Sequence, residues 1–252
     1  MPDRDPTAIP TLETVAFCRR FLPPPPARVL EIGCGRGELA EVLQGVGYRV
    51  VAVDADPVSV EVARERGVDA RRAHWPDFTD EPFAAVLFTR SLHHLHPLGA
   101  ALEQARALIR PGGRVLVEDF AFQDASPATV LWLQGVLRLL RAADALLAPE
   151  EDDLAGRLLR GGDPYAAWEH DHLHEIHPVA AMESALAGLF AIEVAETAPY
   201  LYRYLVPLLP GDARGAAILR CVLDTERALS ACGAIVPIGR RFVARMRAGT
   251  PV

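Results

Sequence analysis

Short apolar runs alternate with longer amphipathic stretches along the first half of the chain. The apolar runs, which are typical of buried parallel strands, cover 29–32, 50–53, 85–88 and 115–117. The stretches between them favour helices. Because strands that alternate with helices imply right-handed crossovers, the pattern predicts an α/β fold with a doubly wound, mostly parallel sheet.

A different pattern precedes the first strand. Residues 11–22 are amphipathic with helical spacing, and the four prolines at 23–26 end that helix and form a stiff linker. We therefore expect a leading segment, 1–26, followed by a main domain, 27–252.

The pattern changes again after Asp119. A leucine-rich helical stretch at 127–147 and a short helix at 152–160 are too long for an ordinary connection between sheet elements. They predict a helical cap inserted at about 126–165. The alternation then resumes with a helix at 178–188, a strand at 190–197, a helix at 212–231 and a last strand at 238–246.

The segment R-V-L-E-I-G-C-G-R-G (28–37) is the most informative motif of the chain. A strand ends at Ile32, three alternate glycines follow, and a helix begins near Glu38. Glycine is needed where the backbone turns with positive φ and approaches a ligand without an intervening Cβ. This arrangement predicts a site for a nucleotide-like ligand at the carboxyl edge of the sheet.

Two carboxylates, Glu31 and Asp54, indicate which kind of nucleotide-like ligand fits the site. Glu31 stands just before the glycines, where it would repel a pyrophosphate and attract an ammonium group. Asp54 ends the second strand, where an acid can hold the two hydroxyls of a ribose. Asp54 could instead cap the next helix, but Asp56, which precedes Pro57, suits that role better. A nucleoside that carries a cationic amino acid fits both carboxylates.

Four ordered segments resemble the class I S-adenosylmethionine-dependent methyltransferases of the small-molecule type. They are VLEIGCGRGELA (29–40), VVAVDADP (50–57), PFAAVLFTRSLHHLHPL (82–98) and ALIRPGGRVLVEDF (107–120). The resemblance implies a Rossmann-like sheet of seven strands, with S-adenosylmethionine as methyl donor and S-adenosylhomocysteine as product.

By this resemblance, the glycines contact the methionine moiety, Glu31 lies near its ammonium and Asp54 holds the ribose. The stretch A-H-W-P-D-F (73–78) departs from the family, in which an acid often reaches the adenine; here His74 would bond the adenine and Trp75 would cover its face. The predicted cofactor residues are Glu31, Gly33, Cys34, Gly35, Gly37, Asp54, Ala55, His74, Trp75 and Arg90.

Histidines supply the candidate acid–base chemistry. His94 and His93 follow the strand 85–88 and could accept a proton from the acceptor, although either could equally serve packing. The predicted acceptor-binding residues are His96, Asp119, Trp132, His172, His174 and Tyr202.

Three of these acceptor residues stand in segments with more than one interpretation. The histidines of 168–178 could line a pocket, hold a metal if they alternate on a strand, or be structural; we expect no metal. Tyr200, Tyr202 and Tyr204 alternate, so a strand would place all three on one face, as a pocket wall or part of the core.

Composition limits the partners of the 252-residue chain. Its net charge of −7 argues against nucleic acid, and no uncharged apolar run is long enough to cross a bilayer. The start of the chain lacks a signal-peptide pattern and the four cysteines show no metal spacing, so a cytoplasmic protein with free thiols is expected. We expect a monomer or homodimer that acts on a small molecule.

The sequence thus predicts methyl transfer from S-adenosylmethionine to an oxygen, nitrogen or carbon atom of a small organic acceptor. Two alternatives remain. One is an enzyme of the same fold that catalyses a rearrangement or cyclisation without methyl transfer, and the other is a non-catalytic module that binds S-adenosylmethionine.

Overall fold

One seven-stranded sheet organises the computed structural model, which describes residues 5–172 and 176–247. The strand order is β3-β2-β1-β4-β5-β7-β6. The pairs β1–β2, β2–β3, β1–β4 and β4–β5 are parallel. The strands are β1 (Arg28–Ile32), β2 (Arg49–Asp54), β3 (Asp69–Arg72), β4 (Phe83–Thr89), β5 (Ile109–Phe120), β6 (Phe190–Ala198) and β7 (Gly239–Met246). The predicted α/β sheet is confirmed.

The helices follow the predicted alternation. They are α1 (Ala8–Phe21), α2 (Glu38–Gly45), α3 (Pro57–Glu65), α4 (Leu98–Leu108), α5 (Pro127–Ala142), α6 (Leu154–Arg160), α7 (Pro164–Asp171), α8 (Val179–Leu189) and α9 (Ala213–Ala231). Asp56 caps α3 by accepting hydrogen bonds from the amides of Val58 and Ser59, as predicted. No helix in the described ranges is long and apolar enough to cross a membrane.

The register of the central strands sets the position of the ligand-binding edge. Ile32 at the end of β1 lies beside Val53 of β2 and Phe88 of β4. The residues that follow these positions, including the glycine turn and Asp54, therefore converge at one edge of the sheet. Open α/β sheets bind their ligands at such an edge.

The chain divides into two compact units. The sheet unit comprises Thr11–Asp119, Ile176–Glu196 and Arg240–Val252; the helical unit comprises Met1–Pro10, Phe120–Glu175 and Thr197–Gly239. In the sheet unit, Phe17 and Cys18 of α1 belong to the same buried cluster as Val29 of β1 and Val243 of β7. Most of α1 is thus part of the sheet unit's core.

The helical unit differs from the predicted pattern at two places. Helix α5 ends at Ala142, five residues before the predicted end, and Asp144 beyond it has a φ of 51° that does not continue a helix. The tyrosines do not alternate on a strand, because Leu201–Leu208 forms a 3-10 helix. Tyr202 is fully buried there, which agrees with a core position.

Candidate functional site

The turn after β1 combines three glycines in the left-handed region of φ, at +70°, +53° and +80° for Gly33, Gly35 and Gly37. A Cβ on Gly33 would lie 2.5 Å from the Cβ of Ser91, so only glycine fits there. A Cβ on Gly35 would meet nothing within 4 Å. The amide of Gly35 donates to Oδ2 of Asp54 at 2.8 Å, which fixes the turn against the end of β2.

A cavity of about 260 Å³, here called the Asp54 cavity, lies beside this turn. It is lined by Ile32, Gly33, Val53, Asp54, Ala55, Ala73, Trp75, Arg90, Ser91, His94 and Leu95. Oδ1 of Asp54 accepts a hydrogen bond from the amide of Asp56 at 2.9 Å, so backbone amides hold both carboxylate oxygens in place. The indole N–H of Trp75 donates to the carbonyl of Ala101 at 3.0 Å, which fixes one wall of the cavity.

A second cavity, of about 210 Å³, is here called the Glu31 cavity. It is lined by Thr11, Thr14, Glu31, Gly33, Cys34, Gly35, Glu38, Leu39, Thr89 and Arg90. Gly33 and Arg90 line both cavities, so the two spaces lie next to each other along the glycine turn. The Glu31 cavity joins carboxylates to a guanidinium, a combination suited to the charged end of an amino acid.

Glu31 is buried, and its carboxyl group is only partly satisfied. The hydroxyl of Thr89 donates to Oε1 at 3.2 Å, whereas Oε2 makes no hydrogen bond with any described residue. Burial raises the pKa of Glu31 to about 8, and the Thr89 hydroxyl and the Arg90 guanidinium offset only part of this effect. A buried carboxyl oxygen without a partner is costly unless a ligand donates to it.

Arg90 is held in a conformation that is unusual for a residue with a side chain, with φ at 59°. Its amide donates to the carbonyl of Glu118 at 2.7 Å, and its Nη1 lies 3.5 Å from Oε1 of Glu118. The buried Glu118 carboxylate also accepts from the hydroxyl of Thr14 at 2.6 Å and pairs with Arg241 at 2.7 Å. Glu118 thereby connects α1, β7 and the loop that carries Arg90.

Three histidines lie on the segment that follows β4, and His177 packs against it. Nδ1 of His93 lies 2.7 Å from Oδ1 of Asp119, and both residues are buried. The exposed His94 lines the Asp54 cavity, with its ring centroid 4.0 Å from that of His93. The amide of His177 donates to the carbonyl of His93 at 2.8 Å, and the rings of His177 and His96 lie 4.0 Å apart. His94 therefore lies at the Asp54 cavity, and the buried pair of His93 and Asp119 lies next to it.

Comparison with known proteins agrees with this geometry. A family model described as a methyltransferase domain matches residues 12–178, which is more than half of the chain. The chain belongs to the class I S-adenosylmethionine-dependent methyltransferases.

Relatives of this methyltransferase include the ubiquinone biosynthesis O-methyltransferase of Xylella fastidiosa, 37% identical over 100 residues. That alignment covers 36% of this chain and 41% of the relative, so less than half of the relative is matched. A structure of coclaurine N-methyltransferase bound to N-methylheliamine and SAH has a TM-score of 0.58 at 15% identity, over 93% of this chain and 72% of that one. The [4+2]-cyclase SpnF has a TM-score of 0.55 at 17% identity, over 96% and 82%. At these identities, the structural likeness shows the fold alone.

Eight of the predicted cofactor residues line the two cavities of this methyltransferase: Glu31, Gly33, Cys34, Gly35, Asp54, Ala55, Trp75 and Arg90. Gly37 lines neither cavity. A Cβ on Gly37 would lie only 2.8 Å from the Cβ of Ala63, so the glycine allows the turn to pack closely against α3. His74 is exposed and lines neither cavity. Since side chains of an extended segment alternate in direction, Ala73 and Trp75 face the cavity and His74 faces away.

The predicted acceptor residues fall in different parts of the chain. His96 and Asp119 belong to the sheet unit, whereas Trp132, His172 and Tyr202 belong to the helical unit. Trp132 is half-buried on α5, and His174 lies outside the described residues.

His172 is buried with both ring nitrogens engaged. Nδ1 lies 2.8 Å from the carbonyl of Trp168, and Nε2 lies 2.9 Å from the hydroxyl of Tyr204. His170 belongs to α7, so the alternative in which the histidines alternate on a strand does not hold at this position. In the parts of the chain that are described, no three His, Cys, Asp or Glu side chains are grouped to hold a metal ion.

The sequence analysis missed the contribution of α1 to the site. Thr11 and Thr14 line the Glu31 cavity, and Thr14 bonds Glu118. Their one-turn spacing on the amphipathic helix was the available signal. The prolines at 23–26 instead favour the interpretation of residues 1–26 as a separate leading segment.

Proposed function

We propose that the chain transfers a methyl group from S-adenosylmethionine to a hydroxyl, amine or activated carbon of a small organic acceptor. The observation that carries the proposal is the pair of adjoining cavities, one built on Asp54 and the other on the partly satisfied Glu31. Together they offer an aromatic wall for adenine, a carboxylate for the ribose and a carboxyl group for the ammonium of the donor.

The Asp54 cavity would hold the adenosine part of the donor. The carboxylate of Asp54 is already fixed by two backbone amides, and its remaining lone pairs can accept hydrogen bonds from ribose hydroxyls. Trp75 and Ala73 supply an apolar wall for the adenine. Because these groups are in place before binding, little ordering cost opposes the ligand.

The Glu31 cavity would hold the amino-acid part. An ammonium group can donate to the Oε2 atom of Glu31 and would favour the ionised carboxylate, whose burial is otherwise unfavourable. Arg90 borders the same cavity and is suited to the donor's carboxylate. Gly35 leaves its side of the turn open to the ligand.

The bound donor supplies an electrophilic methyl on a positively charged sulfur, with a neutral thioether as leaving group. The chain's own residues then have to align the acceptor, exclude water and remove one proton. We assign the removal of the acceptor's proton to His94, since this histidine lines the Asp54 cavity. The buried pair of His93 and Asp119 supports the position of His94 through the ring contact at 4.0 Å.

A hydroxyl-bearing acceptor is the first to test. The relatives with curated names are O-methyltransferases, although the similarity covers only part of them. A hydroxyl also needs a base to become a good nucleophile, which agrees with the histidines at the cavity.

Incubation of the protein with methyl-labelled S-adenosylmethionine and a fractionated cell extract tests the proposal. We expect S-adenosylhomocysteine and a labelled small molecule to appear in equal amounts. Formation of labelled protein or nucleic acid alone would contradict a small-molecule acceptor. Absence of S-adenosylhomocysteine across all fractions would contradict methyl transfer.

One rival is favoured by a particular finding. The fold likeness includes a [4+2]-cyclase at a TM-score of 0.55. An enzyme of this kind would consume a substrate from the extract without converting the donor. Mass analysis of the same incubation distinguishes the two reactions, because only methyl transfer adds the mass of a methylene group to the product.

A further inference from the structure

Helix α5 has a large apolar face that points to solvent. Leu131 is 54% exposed and Leu139 is 69% exposed, and Gly135 lies midway between them. The opposite face is buried and includes Val130, Leu133 and Leu137. With 3.6 residues per turn, positions 131, 135 and 139 share one side of the helix, so the two exposed leucines lie on the same face with Gly135 between them.

No contact within the described chain explains why position 135, at the centre of this face, is a glycine. Glycine in the middle of a helix costs up to about 1 kcal/mol relative to alanine. A Cβ on Gly135 would meet nothing within 4 Å, so no neighbouring part of the chain needs the space. A helix of another molecule that crosses closely at this point would need it.

Residues at equal distances from Gly135 on the exposed face are either alike or complementary. Leu131 and Leu139 stand four residues to either side, and small residues stand seven residues to either side. Trp132 and Arg138 stand three residues to either side. The whole face consists of Ala128, Leu131, Trp132, Gly135, Arg138, Leu139 and Ala142.

An antiparallel copy of α5 that crosses at Gly135 would match this face residue for residue. Each Leu131 would meet the other copy's Leu139, and each Arg138 would meet the other copy's Trp132, a favourable cation–aromatic pair. Twofold symmetry requires a surface that is complementary to itself, and this one is. The two arginines would also stay apart, since each lies on the opposite side of the crossing.

We propose that the chain forms a homodimer through its α5 helices, related by a twofold axis at Gly135. The helix has 16 residues and is about 24 Å long, so the contact belongs to the small, weak class of interfaces. The dimer therefore forms reversibly with concentration. A second copy of this chain is the partner that the symmetry of the face selects, because a different partner would not need the two halves to match.

Sedimentation of the full chain over a range of concentrations tests the proposal. We expect the average mass to rise from one chain towards two. Leu139→Glu should weaken the dimer at least tenfold, whereas Val58→Glu, at an apolar residue of α3 that is 65% exposed, should leave it unchanged. Gly135→Leu should raise the thermal midpoint of the monomer, because it favours the helix, and abolish the dimer.

Cross-linking locates the axis directly. In a chain whose exposed Cys221 and Cys232 are replaced by serine, Gly135→Cys should form a disulfide between copies on mild oxidation. Val58→Cys in the same background should not. A chain that stays monomeric at all concentrations overturns the proposal, as does a dimer that Leu139→Glu and Gly135→Leu do not affect. A monomer that binds phospholipid vesicles through Leu139 also overturns it and identifies a membrane surface as the partner.

Discussion

At the scale of single residues, Glu31 is the most unusual group of the site. It is buried beside the glycine turn, its Oε2 atom has no hydrogen bond to a described residue, and burial raises its pKa to about 8. A group with a raised pKa binds a proton in the folded state that the unfolded state releases. Glu31 therefore stays neutral at neutral pH until a cation is bound.

This gives a pH-dependent prediction. Between the usual glutamate pKa of about 4.5 and about 8, Glu31 is protonated in the folded protein and ionised in the unfolded protein, so its contribution to stability falls as pH rises. Glutamine does not ionise, so Glu31→Gln removes this pH-dependent loss of stability. We expect the free energy of unfolding of Glu31→Gln, relative to that of the natural chain, to increase by roughly 2–4 kcal/mol from pH 5 to pH 8, measured by urea unfolding.

Glu61→Gln is the matched control, since Glu61 is an exposed glutamate of α3 that lines neither cavity. Its difference from the natural chain should vary little with pH. Equal pH slopes for the natural chain and Glu31→Gln would show that Glu31 is ionised in the folded protein, contrary to the account.

His94 provides the residue-scale test of the chemistry. His94→Ala should lower turnover by about 10²–10⁴-fold, because it removes the proposed base. Since His94 also lines the cavity assigned to adenosine, donor affinity should fall too, but by far less than turnover. Asp119→Asn removes the carboxylate that pairs with His93 and should lower turnover less than His94→Ala does, because His93 acts only through the position of His94. Steady-state kinetics with the acceptor found by labelling measure both. Full activity of His94→Ala would remove it as the base.

At the scale of elements, the 3-10 helix Leu201–Leu208 shows a contact that the sequence pattern does not contain. The buried Glu226 of α9 accepts hydrogen bonds from the amides of Tyr200, Leu201 and Tyr202, at 2.6, 2.9 and 3.0 Å. The pKa of Glu226 is raised because burial outweighs these three bonds. One carboxylate thus satisfies the free amides where the 3-10 helix begins.

Substitution of this carboxylate should be costly. Glu226→Ala removes the acceptor of three buried amide hydrogen bonds, and we expect a loss of at least about 3 kcal/mol in the free energy of unfolding. Glu226→Gln keeps one acceptor oxygen and should lose less. Asp224→Ala, an exposed neighbour on the same helix, should change stability by under about 1 kcal/mol. A Glu226→Ala chain as stable as Asp224→Ala would refute the capping role.

The sequence could predict the elements that depend on neighbouring residues, but not those that depend on distant ones. The strand before Gly33 and the cap at Asp56 depend on neighbours in sequence, so local pattern was sufficient for both. The tyrosines at 200, 202 and 204 have the spacing of a strand. Their conformation depends on Glu226, more than twenty residues away, and a long-range carboxylate leaves no mark on the local pattern.

At the scale of the whole molecule, the sequence located the ligand-binding edge but not everything that borders it. Glycines and Asp54 are recognisable because each is required by a turn or a strand end. The contribution of Thr14 depends on α1 packing into the core of the sheet unit, and the wall formed by Ala73 depends on the course of a loop. Such contacts arise from tertiary packing, which periodicity and motif spacing do not encode.

The account depends most on the two adjoining cavities binding one donor molecule. Calorimetric titration with S-adenosylhomocysteine measures this directly. The natural chain should bind it, and Asp54→Ala should weaken binding by at least tenfold, about 1.4 kcal/mol. The control is Glu61→Ala, at an exposed glutamate of α3, which should bind S-adenosylhomocysteine as tightly as the natural chain does. Thermal unfolding without ligand checks that Asp54→Ala keeps its fold. No binding by the natural chain, or equal affinity for a folded Asp54→Ala, would contradict the account.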